Sequence, residues 1–160
     1  MTAEPVIRPA TIHDAAAMAD LLNAIIRRGG TTAHRTPFDT ERMIAHHIDV
    51  PGGICCHVAE VDGVVLGFQA LAWCDPDWKG ANPRPPGWAF IATFVAIGTQ
   101  KSGIGSRLFA ATRNAARAAG VQMIDATIRR ENAGGLAYYT RMGFEDDWSD
   151  AELMAKKRAP

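Results

Sequence analysis

Val95-Ala96-Ile97-Gly98-Thr99-Gln100-Lys101-Ser102-Gly103-Ile104-Gly105-Ser106 is the stretch on which the reading of this chain turns. An apolar run ends in a short polar turn with glycines, and a helical pattern opens at once behind it. Such a turn aims several backbone N–H groups at one point, and the start of a helix adds partial positive charge there. The product is a cradle for a phosphate or diphosphate, spelled Gln-x-x-Gly-x-Gly from Gln100 to Gly105.

Two better-known phosphate motifs fail on spacing. A P-loop requires Gly-x-x-x-x-Gly-Lys-Ser/Thr, and here the residue before Lys101-Ser102 is Gln100. A dinucleotide fingerprint requires Gly-x-Gly-x-x-Gly with an acidic residue about 20 positions on, at a strand end. Gly103 and Gly105 supply two glycines, but Leu108 occupies the third position, and Asp125 sits inside the run Val121 to Thr127. An ordinary strand-to-helix turn that uses glycine for its geometry remains the plain alternative when this stretch is taken alone.

Downstream comes a second motif, Asn132-Ala-Gly-Gly-Leu-Ala-Tyr138-Tyr139-Thr-Arg-Met-Gly143-Phe144. Between the two lie a helical pattern, Gly103 to Ala119, with a predicted buried stripe of Ile104, Leu108, Ala111, Ala115 and Ala119, and a strand, Val121 to Ile128. With both motifs in order, Trp88 to Phe144 resembles the GNAT superfamily of acyl-CoA-dependent N-acyltransferases. Val95 falls five residues before Gln100, as in that family's cofactor strand, and Asn132, Tyr139 and Gly143-Phe144 match its second cofactor motif. Asn23 to Phe38, with Thr31-Thr32-Ala33 ahead of Pro37-Phe38, is similar to the branch of phosphinothricin-type amino-acid acetyltransferases.

Outward from that centre the elements are legible. Val6 to Ala10 is a first strand, followed by a helix capped at Thr11 or His13-Asp14 with Ala17, Met18, Leu21, Leu22, Ile25 and Ile26 at helical spacing. Asp39 starts a second helix that reaches about Ile48. Ile54 to Val61 and Val64 to Trp73 form a hairpin turned by Asp62-Gly63. Cys74 to Gly87 is a long irregular loop. Trp88 to Ala96 is the strand before the cradle, Ala133 to Met142 a short helix, and Phe144 to Trp148 with Ala151 to Lys156 a final antiparallel pair. The order predicts an α/β (α+β) chain: a mixed, mostly antiparallel central sheet with helices on both faces. At 160 residues it reads as one domain, 1–160.

The resemblance implies that the parallel strands on either side of the long helix splay apart. The pantetheine arm of acetyl-CoA then pairs with the opened strand like an added strand. Here those backbone groups would belong to Phe94, Val95, Ala96 and Ile97. The diphosphate would lie on the N–H groups of Lys101, Ser102, Gly103, Ile104, Gly105 and Ser106, beside Gln100, with Lys101 and Arg107 adding charge. Asn132 would hydrogen-bond the pantetheine arm, and as a helix N-cap it can do both. Tyr139 is the implied acid for the departing thiolate, also touching the cofactor; Tyr138, one residue on, is read as packing or substrate-side lining.

The chemistry implied is transfer of an acetyl group to a primary amine, which must lose a proton before it attacks. The phosphinothricin-type branch carries a glutamate five residues before the position of Val95. Phe90 stands there in this chain, and Trp88 to Val95 holds no carboxylate. Glu60, His57 and His34 are the substitutes the sequence offers. Trp73, Trp78, Trp88, Arg84 and Phe90 are candidates for an acceptor pocket or a dimer contact. A non-catalytic acyl-CoA sensor is the alternative, motivated by the missing carboxylate.

Composition excludes some partners. Lys plus Arg and Asp plus Glu both number 17, so no basic excess is available to hold nucleic acid. No apolar run reaches membrane-spanning length, and no secretion signal is visible. Cys55, Cys56 and Cys74 are odd in number, and the adjacent pair would point to opposite faces of a strand, so a reducing cytoplasm fits better than a disulfide framework. No His or Cys spacing matches a metal site. The partners expected are a small-molecule amine and, by resemblance, a second copy in a homodimer.

Overall fold

Hairpin chemistry and one crossover generate the sheet. The computed structural model describes residues 3–99 and 102–160. β1 (Val6–Pro9) leads through a 3-10 turn (Ile12–Asp14) into α1 (Ala15–Arg28), and Thr11 with Asp14 forms a reciprocal capping box at the entry. α2 (Thr40–Met43) is capped by the Asp39 side chain on Arg42 N and runs on as a π-helical turn, Ile44–Ile48. β2 (Gly53–Val61) and β3 (Val64–Trp73) meet at Asp62-Gly63, whose φ angles of 50° and 80° match the twist of a two-residue hairpin. β4 (Trp88–Val95), α3 (Ile104–Ala119) and β5 (Met123–Arg129) form the crossover unit. α4 (Ala133–Arg141), β6 (Glu145–Ser149) and β7 (Leu153–Arg158) complete the chain.

The seven strands lie in the order β1-β2-β3-β4-β5-β7-β6, and every neighbouring pair is antiparallel except β4–β5. α1 and α2 cover one face, where Met18, Leu22, Phe38, Met43, Val58 and Phe68 are buried together. α3 and α4 cover the other, where Leu71, Ile91, Phe109, Ile124, Tyr139 and Phe144 form the core. Strand alternation separates Cys55 and Cys56 onto these two faces, and all three cysteines are free thiols.

The buried stripe of α3 differs from the sequence expectation. Ile104 and Leu108 are in it, but Phe109, Thr112 and Ala116 complete it, while Ala119 is exposed. A row of alanines carries little phase information, and the large Phe109 side chain sets the rotation of the helix by packing on Phe144 at 5.6 Å between ring centroids.

Candidate active site

The parallel β4–β5 ladder is three residues long. It pairs Trp88 with Met123, Ala89 with Ile124 and Phe90 with Asp125, and then the strands part. β4 continues to Val95 on β3 alone, and β5 continues to Arg129 on β7 alone. Backbone direction alternates along a strand. The Ala96 N–H donates to Leu66 O on the β3 side, and Gly87 O accepts from Gln122 N on the β5 side. Phe94 and Ala96 therefore spend their main-chain groups on β3. Thr93 and Val95 present theirs to the opening. The expectation that Phe94 through Ile97 all offer unpaired groups narrows to the odd-numbered residues, with Thr93 added.

α3 begins beside this opening. Gly103 is its N-cap at φ +86° and so brings no capping side chain of its own, and the first turn carries no acidic residue. Ser102, Gly103 and Ser106 are exposed, and Ile104 is buried beneath them. Gln100 and Lys101 lie outside the described residues. Arg107 is exposed and pairs with Glu4 at 3.4 Å. The geometry is that of a glycine-capped helix start next to an open strand edge, which suits an anion at the end of an extended arm.

A hydrogen-bonded chain joins these two features. Tyr138 Oη donates to Gly105 O at 2.7 Å and accepts from Gln69 Nε2 at 3.0 Å. Gln69 Nε2 also donates to Thr93 Oγ1 at 2.9 Å, and Thr93 Oγ1 lies 2.9 Å from Tyr139 Oη. Gln69 is fully buried and its Oε1 has no partner among the described residues. Burial raises the Tyr139 phenol above its ordinary pKa, and pushes Tyr138 up to about 12. Both stay protonated at neutral pH. The proton of Tyr138 is committed to a carbonyl. That of Tyr139 is free whenever Thr93 is the donor of the bond they share. Tyr138 packs against the α3–α4 core, as expected, and also bonds across to α3: its ring lies against Gly105, where a Cβ would meet Cε2 at 2.6 Å.

On the opposite face β4 borders a cavity of about 560 Å³, closed above by the π-helical turn and floored by β2 and β3. Phe90 and Ala92 form its β4 wall, and His34, His46 and His47 enter from the other side. Phe90 is 45% exposed, unusual for so large an apolar side chain mid-strand. His47 is buried between Phe38, Phe68 and Phe94, and its Nε2 has no hydrogen-bond partner among the described residues. Burial depresses its pKa to about 4.

The remaining candidates are elsewhere. Glu60 is tied to Arg8 at 2.6 Å on the β1–β2 edge, and His57 is half-buried on β2 with Nδ1 unpartnered. Arg84 sits in a nearly buried ion network, 2.6 Å from Asp125 and also paired with Asp147, with its guanidinium over the Trp88 ring. It pins the long loop to β5 and β6 below the opening. Trp73 packs against the α3-side core, and Trp78 is exposed, donating to Ala81 O. Of Trp73, Arg84, Trp88 and Phe90, only Phe90 lines the cavity. Asn132 caps α4, accepting from Gly135 N at 2.9 Å. Among the described residues no group of His, Cys, Asp and Glu could hold a metal ion, and no helix is long and apolar enough to cross a membrane.

Thr93 and Gln69 were missed as site residues in the sequence. Each is a polar side chain inside an apolar strand run, and a hydroxyl and an amide in such runs signal a buried bonded pair. The dinucleotide reading is closed by the same geometry: Leu108 is fully buried and Asp125 is bound to Arg84.

Comparison with known proteins agrees with this arrangement. Residues 18–144 match the acetyltransferase (GNAT) family. Phosphinothricin N-acetyltransferase of Streptomyces viridochromogenes is 29% identical over 139 residues, 86% of this chain and 73% of that protein. A structure from Salmonella typhimurium with its cofactor acetyl-CoA superposes with a TM-score of 0.80 at 20% identity, covering 98% of this chain and 94% of that one. A phosphinothricin acetyltransferase from Sinorhizobium meliloti in complex with acetyl-CoA gives 0.80 at 17% identity, covering 99% and 89%. With a family match over most of its length, this chain belongs to the GNAT acetyltransferase family.

Proposed function

We propose that the chain moves the acetyl group of acetyl-CoA to the primary amine of a small molecule by direct attack in a ternary complex. The observation that carries this reading is the loss of the β4–β5 ladder after Phe90, next to a glycine-capped helix start and a buried tyrosine. The residues present fit the cofactor. Thr93 and Val95 have main-chain groups free for an extended amide-bearing arm. Gly103 to Ser106 offer N–H groups to a diphosphate, and a Cβ on Gly103 would find only open space there. Asn132 has its amide N–H groups left over after capping α4 with its oxygen.

Acetyl-CoA, when bound, supplies an acetyl group activated as a thioester. The Thr93 N–H is then the donor best placed for the carbonyl oxygen as negative charge grows on it. Tyr139 Oη holds the proton that the departing sulfur needs, and Thr93 Oγ1 orients it. Gln69 fixes Thr93, and Tyr138 ties the same chain to the first turn of α3, so cradle and acid move together. The three free thiols suit a reducing compartment such as the cytoplasm, and the homodimer of the family resemblance is the assembly we carry forward.

Titration with acetyl-CoA by calorimetry, followed by free-thiol release over a panel of amines, tests the reading. We expect binding and amine-dependent thiol release. Absence of binding, or a bound coenzyme located away from the β4 opening, would overturn it.

A further inference from the structure

The cavity on the α1–α2 face has a lining that no catalytic assignment uses. Its walls are Ala45, Ile48, Val50, Ala70, Ala72 and Phe90, with three imidazoles and, at the rim, the exposed carboxylate of Asp49. Among the described residues no lysine or arginine lines it. Arg42, which acts electrostatically on His34, lies over the Phe38 ring at 3.9 Å and donates to Thr36 O and Pro37 O. The cavity touches β4 at Phe90 and Ala92, so it abuts Thr93, whose main chain faces the opening. His34 stands over Phe94 of the same strand, 6.3 Å between ring centroids.

We propose that this cavity is the acceptor site, that it takes a primary amine borne on an uncharged, largely apolar body, and that the His34 imidazole receives the proton the amine must lose. The proposal rests on the acetyl-transfer reading above and deepens it. An acceptor with a carboxylate or phosphinate would bring an anion into a space whose described lining holds no lysine or arginine to pair with it, so it would give up hydration without a direct ion-pair partner. An ammonium meets imidazole nitrogens and the Asp49 rim instead.

His34 is the imidazole suited to the task. Neither of its ring nitrogens makes a hydrogen bond among the described residues; its one bond is from its backbone N–H to Thr32 Oγ1. It faces Phe38 from its own loop, Arg42 from α2, His46 and His47 from the π-helical turn and Phe94 from β4. Burial, with Arg42 and His46 adding repulsion, holds its pKa below the usual imidazole value, so it is neutral at pH 7. His47 is enclosed, with its Nε2 shut away from solvent.

The protons balance. R–NH3+ gives one proton to His34, and the freed lone pair forms the N–C bond to the acetyl carbonyl carbon. The C–S bond breaks with its electron pair on sulfur, and the thiolate takes the Tyr139 proton. The second amine proton restores Tyr139 through solvent, and His34 returns its own to water, for a net release of one proton.

The test uses matched acceptors: phenethylamine against phenylalanine, and isoamylamine against leucine, each pair sharing one apolar body with and without a carboxylate. We expect kcat/KM at least about tenfold higher for the amines. Preference for the amino acids, or turnover of neither while acetyl-CoA binds, sinks the proposal and leaves cofactor binding standing. Failure of acetyl-CoA to bind sinks the underlying reading instead. His34→Gln should lower kcat/KM about 10²-fold at pH 7, remove the acid limb of the wild-type pH profile, and leave acetyl-CoA affinity unchanged. A retained acid limb assigns the proton elsewhere. Independent of turnover, phenethylamine added to the wild-type protein should shift the His34 imidazole Cε1–H resonance, and an unmoved resonance rules out contact.

Discussion

The two faces of the sheet at β4 are built on opposite plans. On the α3–α4 side, the opening is backed by a closed hydrogen-bond chain from Gly105 O through Tyr138, Gln69 and Thr93 to Tyr139. On the α1–α2 side, three imidazoles stand around a cavity with an apolar wall, and His47 Nε2 is left unpaired. The first face is cross-linked side chain to side chain, although Gln69 Oε1 is left without a partner among the described residues, and the second has three imidazoles around open space. A two-substrate transferase benefits from that division. The cofactor side needs a fixed geometry at a stated atom, whereas the acceptor side needs groups that are empty until the acceptor arrives. Alternation along β4 makes the division, because Thr93 turns its side chain to one face while Ala92 and Phe94 turn theirs to the other.

The sharpest way to break this comparison is Tyr139→Phe. If the α3–α4 face supplies the acid, kcat should fall by about 10² or more, with acetyl-CoA affinity held within about twofold, because the ring and its packing on Phe144 remain. Thr93→Val, which keeps shape and removes only the orienting hydroxyl, should cost less, on the order of tenfold. Pre-steady-state thiol release separates chemistry from product release in both. A wild-type rate in Tyr139→Phe would hand the proton to solvent.

Stability against pH probes the other face. The His47 pKa lies at about 4 in the fold, against about 6.5 in an unfolded chain. Between those values the unfolded state binds a proton that the folded state refuses, so stability falls as pH drops from about 6.5 towards 4. The loss approaches roughly 3 kcal/mol at the acid end. Asp14, held below its ordinary carboxylate range chiefly by its hydrogen bonds from Arg8, acts only at lower pH. Urea unfolding from pH 7 to 4 should show the decline in wild type and a flatter curve in His47→Phe. Equal slopes would mean His47 is protonated inside the fold.

Gly105→Ala is the third intervention. Alanine in a helix is favoured over glycine by about 1 kcal/mol. Here the added Cβ would lie 2.6 Å from Tyr138 Cε2, on a ring held by two hydrogen bonds. Overpacking of this kind costs about 1–3 kcal/mol, so the substitution should be net destabilising and should weaken acetyl-CoA binding as the first turn of α3 shifts. Pairing it with Tyr138→Ala should recover part of the stability. Recovery of nothing would mean the ring is not the obstacle.

These particulars explain what the sequence could reveal. The Asp62-Gly63 hairpin, the glycine turn into α3 and the capped turn ahead of α1 were readable from local spacing, and the parted strands from the resemblance that two motifs in fixed order carry. Tyr139 was readable as a motif position through its distance from Asn132, and its role as the acid is carried by our proposal. Thr93 and Gln69 were not, since their meaning depends on β3 and β4 lying side by side in one register, 24 residues apart. The histidine cavity was still less visible. In sequence His34 is only one of three substitute bases and His46 and His47 carry no motif, and it is the packing of the loop after α1 and of the π-helical turn over β4 that brings the three together beside Phe90. Arg84 shows the same limit: an arginine in a long loop suggests recognition, and only the fold reveals its pairing with Asp125 of β5 and Asp147 of β6.

The smallest expected effect separates two roles of one side chain at the rim of the opening. Asn132 caps α4 through Oδ1 on Gly135 N, and our proposal gives its remaining amide N–H groups to the pantetheine arm. Asn132→Asp keeps the acceptor oxygen and places a negative charge at a helix start, so stability should hold or rise slightly. It removes the amide donors, so acetyl-CoA affinity should fall by several-fold. Asn132→Ala loses both and should cost about 1 kcal/mol of stability as well. If Asp and Ala lower stability alike, the cap contributes nothing. If Asp leaves affinity untouched, Asn132 serves only α4, and the arm is held by the Thr93 and Val95 main chain alone.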